Sequence, residues 1–554
     1  MTAGAQARPG AEPPWQWLSP RSLIVRPVTD LLRLLPVLIG IFFFGSGHGS
    51  YWGLAFAGTA IATSFVRYCT TRYAITGERI YLRHGLLSQK VLSVRRDRIR
   101  SVDLSAHVVY RLLGLRKVAV GTGRNDHRDG GSLHLDALTL ADAEALRAVL
   151  LAGARRAGLG DARDDERADA GPAERELARL APGWIRYAPL TLTGLVIVGV
   201  VVGSAFQVVD ATHIDITAIG PVHRLTVSLS HLSVIQRALE VALAILVLLV
   251  LLSVAGYVAL FWNFQLVSQS TGVLRVSRGL LSTRTTTIDT RRLRGVELSE
   301  PLLLRVAGGA RCLAVTTGLR VGHGAERGGS LLLPPAPRAV ASAVATAVLE
   351  TAVADPETAG AAAVLVTAVA DPEAGGVTAS GPAVRFPARV VPADLLTGKL
   401  VRHGPAARRR RYVRALGSAG VLTVAGVVAW AAGPFPAWAG LGSLVLLPLG
   451  AILAADRYAS LGHRLSGGWL VTRTGSLIRR RSVLSTDGII GWRIHQSWFQ
   501  RRQGLVSLAA TTAAGRQHYV AHDIPAAAAL GLATAATTLL GPFRTPAGSG
   551  RCAD

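Results

Sequence analysis

One stretch is written three times in this chain, over residues 83–123, 278–318 and 474–515. With Gly85, Gly279 and Gly475 in register, a second glycine falls 29 residues later in each copy, at Gly114, Gly308 and Gly504. An arginine stands three residues before it each time, at Arg111, Arg305 and Arg501. Apolar positions agree as well: Ile99, Leu293 and Ile489, then Leu104, Leu298 and Ile494. Gly85, Gly279 and Gly475 stand 194 and 196 residues apart. Solenoid repeats recur every 20–50 residues or so, and this interval is several times longer, so each copy must be a domain with its surroundings.

Each copy follows a strongly apolar region. The first has two parts, residues 34–45 and 51–66, joined by Gly-Ser-Gly-His-Gly-Ser. Both are shorter than the roughly 20 residues a helical span needs, which leaves a spanning and a re-entrant hairpin open. The second pairs residues 187–206 with residues 241–262, neither carrying a charge; the latter's 22 residues make about 33 Å of helix, enough for a hydrocarbon core of about 30 Å. The third pairs residues 415–433 with 436–455 across a Gly-Pro-Phe-Pro turn. The predicted repeating unit is a hydrophobic hairpin followed by a small soluble domain.

Within the soluble part, alternation predicts strands over 72–75, 79–85, 87–94, 117–121 and 132–135, with a helical turn over 107–113 closed by Gly114. Thr139, three residues before Asp142, resembles a capping box and opens an amphipathic helix over 140–155. Copies two and three end alike, so each unit is several short strands and one C-terminal helix. The organisation expected is a polar tail (1–26), hairpin 1 (27–67), domain 1 (68–156), a charged linker (157–184) and hairpin 2 (185–262) with an outer loop (207–240). Domain 2 (263–350), a low-complexity linker (351–400) repeating Thr-Ala-Val-Ala-Asp-Pro-Glu, hairpin 3 (401–457), domain 3 (458–542) and a tail (543–554) follow. No cleavable leader is expected at the start.

Charge sets the expected orientation. The two tight hairpin turns carry no Lys or Arg, and the longer loop carries only Arg224 and Arg237. The opposite flanks carry Arg21, Arg26, Arg67, Arg72, Arg186, Arg402 and the run Arg408, Arg409, Arg410, Arg411. The positive-inside rule then places both termini and all three domains in the cytoplasm, at the plasma membrane. The net charge of +26 rests almost wholly on arginine, a choice read as compositional bias.

The third copy contains Gln496-Ser497-Trp498-Phe499-Gln500-Arg501-Arg502-Gln503-Gly504-Leu505. This resembles the Q-S-x-x-Q-R-x-x-G-L signature of the bacterial PH (membrane-flanked) domain family, in particular its YdbT-like multi-pass proteins. Copies one and two keep the arginine and the glycine but lack the Gln-Ser pair. The resemblance covers most of the chain outside the linkers. It implies a mixed membrane-α plus β fold: three transmembrane helical hairpins, each followed by a cytoplasmic PH-like small β-barrel with a C-terminal helix. The family brings no agreed catalytic residues.

The shared arginines have two readings, a ligand contact or a cap on exposed helix carbonyls, and the cap is the simpler. The candidate anionic-lipid contacts are Arg95, Arg96, Arg98 and Arg100, then Arg291, Arg292 and Arg294, then Arg479, Arg480 and Arg481, set against the plainer reading of a solvated basic face. Histidines do not cluster at ligand spacing, three scattered cysteines make no framework, and no nucleophile elbow or phosphate loop appears. No enzymatic activity, cofactor or metal is therefore expected. The dispersed charge speaks against nucleic acid. The expected partners are the bilayer, its anionic headgroups, an unidentified membrane or cytoplasmic protein, and a further copy of the chain. The function expected is a membrane-organising or interaction scaffold; the alternative is a small-molecule or lipid transporter or export component, against which stands the lack of ionisable residues inside the clear spans.

Overall fold

The computed structural model describes residues 15–17, 71–76, 79–84, 90–95, 101–106, 108–121, 132–142, 174–191, 233–269, 272–317, 330–354, 390–433 and 437–536, with a few isolated positions besides. Nearly all of hairpin 1, residues 192–206 of hairpin 2, residues 207–232 of the outer loop and residues 355–389 of the low-complexity linker lie outside these residues. The chain forms two units, residues 1–289 and 290–554.

In the first unit, β1 (Gln16–Trp17), β2 (Arg72–Ile75), β3 (Arg79–His84) and β4 (Lys90–Arg95) form one antiparallel sheet in that order. β5 (Ser101–Ala106), the short helix α1 (Val108–Leu112), β6 (Leu115–Gly121) and β7 (Ser132–Thr139) follow. Tyr73, Ile80, Leu82 and Val94 from the first sheet share a core with Leu104, Val118 and Leu138 from the second. The alternation Ile80, Leu82 and the matching cross-strand apolar positions are what a half-buried strand requires.

The chain then makes β8 (Glu174–Arg179), a 3-10 segment (Pro182–Leu190) and α2 (Val234–Phe261), followed by β9 (Gln265–Gln269), β10 (Val273–Arg278) and β11 (Thr283–Asp289). Ser233 caps α2 in a reciprocal box with Gln236. Ser253 anchors the helix inside the unit by donating to the Ala188 carbonyl at 2.6 Å.

The second unit contains a 3-10 turn (Thr290–Arg292), β12 (Leu293–Pro301), α3 (Leu302–Val306), β13 (Gly309–Thr316), β14 (Leu331–Pro337) and α4 (Arg338–Val353). The helices α5 (Gly404–Ala432), α6 (Ala437–Ser443) and α7 (Leu446–Ala459) come next. α5 lies against α6 and α7 through small residues: Thr423 donates to the Ser443 carbonyl at 3.0 Å, and Gly450 faces Ala419. The third copy closes the chain with β15 (Gly462–Ser466), β16 (Trp469–Thr474), β17 (Ile478–Ser485), β18 (Gly491–His495), α8 (Trp498–Arg501), β19 (Leu505–Thr511), β20 (His518–Pro525) and α9 (Ala526–Ala536). Leu470 and Leu484 from one sheet, Val506, Leu508 and Ile524 from the other, and Ala529 and Leu532 from α9 make its core.

Among the described residues, three helices are long and apolar enough to cross a membrane: Ala242–Phe261, Gly404–Ala432 and Gly440–Ala459. α5 begins well before the expected start at 415, so the four-arginine run forms its opening turns rather than a separate flank.

Two further features depart from the sequence reading. The first concerns the segments ahead of the apolar regions. β1 arises in the stretch read as a tail and pairs with β2; β8 arises in the stretch read as a linker and pairs with β9; Val401 bridges His463 on β15. Each soluble module therefore begins before its apolar region, and the chain entering that region is strand-paired to the chain leaving it.

The second is that the sheets run across the copies. β11 of copy two pairs with β5 of copy one, and β17 of copy three pairs with β12 of copy two. Among the described residues the strands form four open sheets, of four, seven, six and three strands. The two seams share one register. Leu104 and its equivalent Leu298 lie opposite Thr285 and Arg481, each six residues after its signature glycine, Gly279 or Gly475.

Candidate functional site

The Gln496–Leu505 signature is built almost entirely into structure. Gln496 donates from Nε2 to the Leu505 carbonyl at 3.0 Å. Ser497 caps α8, and Gln500 returns the bond by accepting from the Ser497 backbone N–H at 2.9 Å. The Nε2 of Gln500 then donates to Ser507 Oγ at 2.9 Å and to Asp523 Oδ1 at 2.8 Å. Gly504 has φ 62°, and its N–H bonds the Arg501 carbonyl; Gly114 and Gly308 repeat this with φ 68° and 72°. These are the left-handed closures of a short helix that glycine adopts without steric cost.

Asp523 carries the site. It is fully buried on β20, and Arg410 and Arg411 from the opening turns of α5 both pair with it, the latter at 2.6 Å. A buried carboxylate is tolerated only when paired, and two guanidiniums plus an amide satisfy this one. Nothing near Asp523 in the sequence announces it; its partner Arg410 lies 113 residues away.

Beside this clamp is a cavity of about 410 Å³ between α5 and the β18–β19–β20 sheet. Arg410, Arg411, Arg414, Arg493, His495, His518 and His522 line it, with Ser497, Gln500 and Ser507 as further polar groups over a floor that includes Ala509 and Val520. Asp523 neutralises two of these cations. No acidic side chain pairs with Arg414 or Arg493 among the described residues. Burial, reinforced by Arg411, holds the His522 imidazole below its usual range. The cavity thus presents cationic and hydrogen-bonding groups suited to a phosphate or carboxylate.

The Bacterial PH domain family model matches residues 30–154, 192–351 and 413–535, most of the chain and once per copy. The chain belongs to the bacterial PH domain family. Each match takes in an apolar region together with its PH module. No curated protein and no solved structure matches the chain.

The remaining PH-module residues singled out in the sequence fall into three groups. Arg479, Arg480 and Arg481, read as surface lipid contacts, are instead turned into the fold, and that expectation is corrected. Arg481 is 5% exposed and donates to the Leu395 and Gly398 carbonyls at 3.1 and 2.9 Å. Arg479 pairs with Asp456 at 3.1 Å, and Arg480 with Glu297 at 3.4 Å. Their strand is interior to a six-stranded sheet, which supplies carbonyl and carboxylate partners that an edge strand would lack. Burial lowers the Arg481 guanidinium to about 10. Arg291, Arg292 and Arg294 are half-buried, and Arg95 is exposed on β4. Arg96, Arg98, Arg100 and Gly85 lie outside the described residues.

The signature arginines have a role beyond their own helices. Arg111 donates to the carbonyl of Leu280 at 2.5 Å, and Arg305 to that of Ser476 at 3.3 Å while pairing with Asp456 at 2.9 Å. Leu280 and Ser476 directly follow Gly279 and Gly475, so each arginine pins the turn of the next copy. Both glycines have positive φ, and a Cβ there would strike the carbonyl three residues on.

Proposed function

We propose that this protein is a non-catalytic multi-pass membrane scaffold that displays its PH modules on the cytoplasmic side and engages anionic headgroups through the third. The observation that carries this reading is the cavity around Arg414 and Arg493. It sits against the opening turns of α5, a helix long and apolar enough to cross a membrane. A cation-lined cavity at that end of such a helix lies at headgroup depth. Arg410 reaches Ser497 Oγ at 3.3 Å, which keeps α8 beside the same turns. On α8, Trp498 and Phe499 are 57% and 66% exposed, and Arg502 stacks on Trp498 at 4.0 Å. An exposed aromatic pair beside a cation suits the membrane interface, where one end of the ring is wet and the other apolar. The strand pairing across each apolar region favours both of its ends lying on one side, in keeping with the charge asymmetry.

The test uses the purified full chain in a neutral detergent. Short-chain phosphatidylglycerol should raise the unfolding temperature, by the equivalent of about 2.7 kcal/mol at a hundredfold excess over Kd, and phosphatidylcholine should not. The double substitution Arg414→Gln, Arg493→Gln should remove the difference while leaving the unliganded stability near that of the parent. Equal shifts by both lipids would reject the headgroup reading.

A further inference from the structure

We infer that a second copy of this chain docks edge to edge, its β4 pairing with the first chain's β18, and that the protein assembles head to tail. The chain performs this docking twice within itself. β5 of copy one takes β11 of copy two, and β12 of copy two takes β17 of copy three. The strand equivalent to β5 and β12 in the third copy is β18. The strand equivalent to β11 and β17 in the first copy is β4. Among the described residues, these two are the terminal strands of their sheets. One is the socket left over from the series and the other is the plug.

Three observations make the occupant a copy of this chain rather than an unrelated strand. The first is register. Leu104 and Leu298 each oppose the residue six positions beyond the next copy's signature glycine. Their equivalent Ile494 would oppose Val91, six beyond Gly85, with Arg493 opposite Leu92 and His495 opposite Lys90. Ile494 and Val91 are 51% and 56% exposed, apolar residues on edge strands of the kind that natural sheets otherwise protect. The second is the arginine pin. Arg111 and Arg305 each bond the carbonyl that follows the next copy's glycine. Arg501 is exposed, and no side-chain partner stands against it among the described residues; in sequence, the equivalent of Leu280 and Ser476 in a second chain is the residue that follows Gly85. The third is that Gln496, Ser497, Gln500 and Gly504 of the same signature have structural tasks within the third copy, which leaves the Arg501 side chain for a task outside it. A socket and a plug on different surfaces make a heterologous interface, which generates rings or filaments rather than a closed two-fold dimer. The inference does not depend on what the cavity binds.

Disulfide trapping in native membranes tests it. Cys69→Ser and Cys552→Ser give the background; Cys312 stays, because burial pushes its thiol up to about 12 and keeps it unreactive. Differently tagged chains carrying Val91→Cys and Ile494→Cys are co-expressed and oxidised. A mixed dimer containing both tags is expected, since directly opposed strand residues fall within disulfide reach. A chain carrying both substitutions should give a ladder of oligomers. Arg493→Cys in place of Ile494→Cys faces the other side of the strand and should trap at least several-fold less. Arg501→Ala should also lower trapping several-fold, and Arg502→Ala should not. Absence of the mixed dimer, or loss of both thiols of the double variant at monomer mass (closure within one chain), would overturn the inference. Equal trapping at 493 and 494 would mark random collision and overturn it too.

Discussion

His463 and His403 form a buried imidazole pair, with Nδ1 of His463 3.0 Å from Nε2 of His403. Nδ1 of His403 in turn lies 2.7 Å from the His522 carbonyl, which can only accept. His403 must therefore carry its proton on Nδ1 and accept from His463 on Nε2, and both rings are neutral. Burial, and then His403 itself, push His463 down to about 4. The folded value lies below the unfolded 6.5, so the unfolded chain takes up the proton first. Stability should be constant above about pH 6.5, fall as pH drops to about 4, and level off below. The full change is about 3 kcal/mol for this group. Unfolding temperature measured from pH 4 to 8 should show that slope, and His463→Asn should flatten it.

Removing the carboxylate at Asp523 leaves Arg410 and Arg411 buried and unpaired. Asp523→Ala should destabilise the third module by about 3 kcal/mol, the scale for breaking a buried ion pair. Limited proteolysis of the detergent-solubilised protein should show earlier cleavage within residues 460–536, with residues 72–140 unaffected.

A Cβ added at Gly504 would have no heavy atom within 4 Å, so a substitution there meets only backbone strain. Gly504→Val should cost roughly 1–3 kcal/mol. Gly504→Asn should cost clearly less, because Asn tolerates the left-handed region. Thermal unfolding of the two variants side by side checks the order.

The arginines on β17 should behave as structural residues. Arg481→Gln removes two hydrogen bonds from a buried cation and should cost about 1.5–3 kcal/mol. Lipid-dependent shifts should be unchanged in whatever fraction remains folded. Retention of full stability would contradict the buried position of Arg481.

Orientation is open to cysteine labelling in intact cells. A thiol at Phe435→Cys should react with an impermeant reagent, and one at Gln517→Cys should not until the cells are opened. Reaction at position 517 in intact cells would reverse the assigned side.

The sequence by itself determined the three-fold repeat, the apolar regions ahead of each copy, the short helix closed by glycine, and the strands β2, β3 and β6. These are local properties. Apolar alternation marks which face of a strand is buried, and a glycine marks a backbone that L-residues avoid. Tertiary structure alone decided the rest. Alternation does not say which strand lies at the edge, so the pairing of β5 with β11 and of β12 with β17 could not be read from either partner. The same limit hid the short strands ahead of the apolar regions, Gln16–Trp17 and Glu174–Arg179, too brief or too charged to stand out. It also misplaced Arg479, Arg480 and Arg481. A run of arginines looks solvated until a distant Asp456, Glu297 and two loop carbonyls supply partners that repay the loss of water. Asp523 is the converse case, a single acid whose weight comes from two arginines that the fold brings to it.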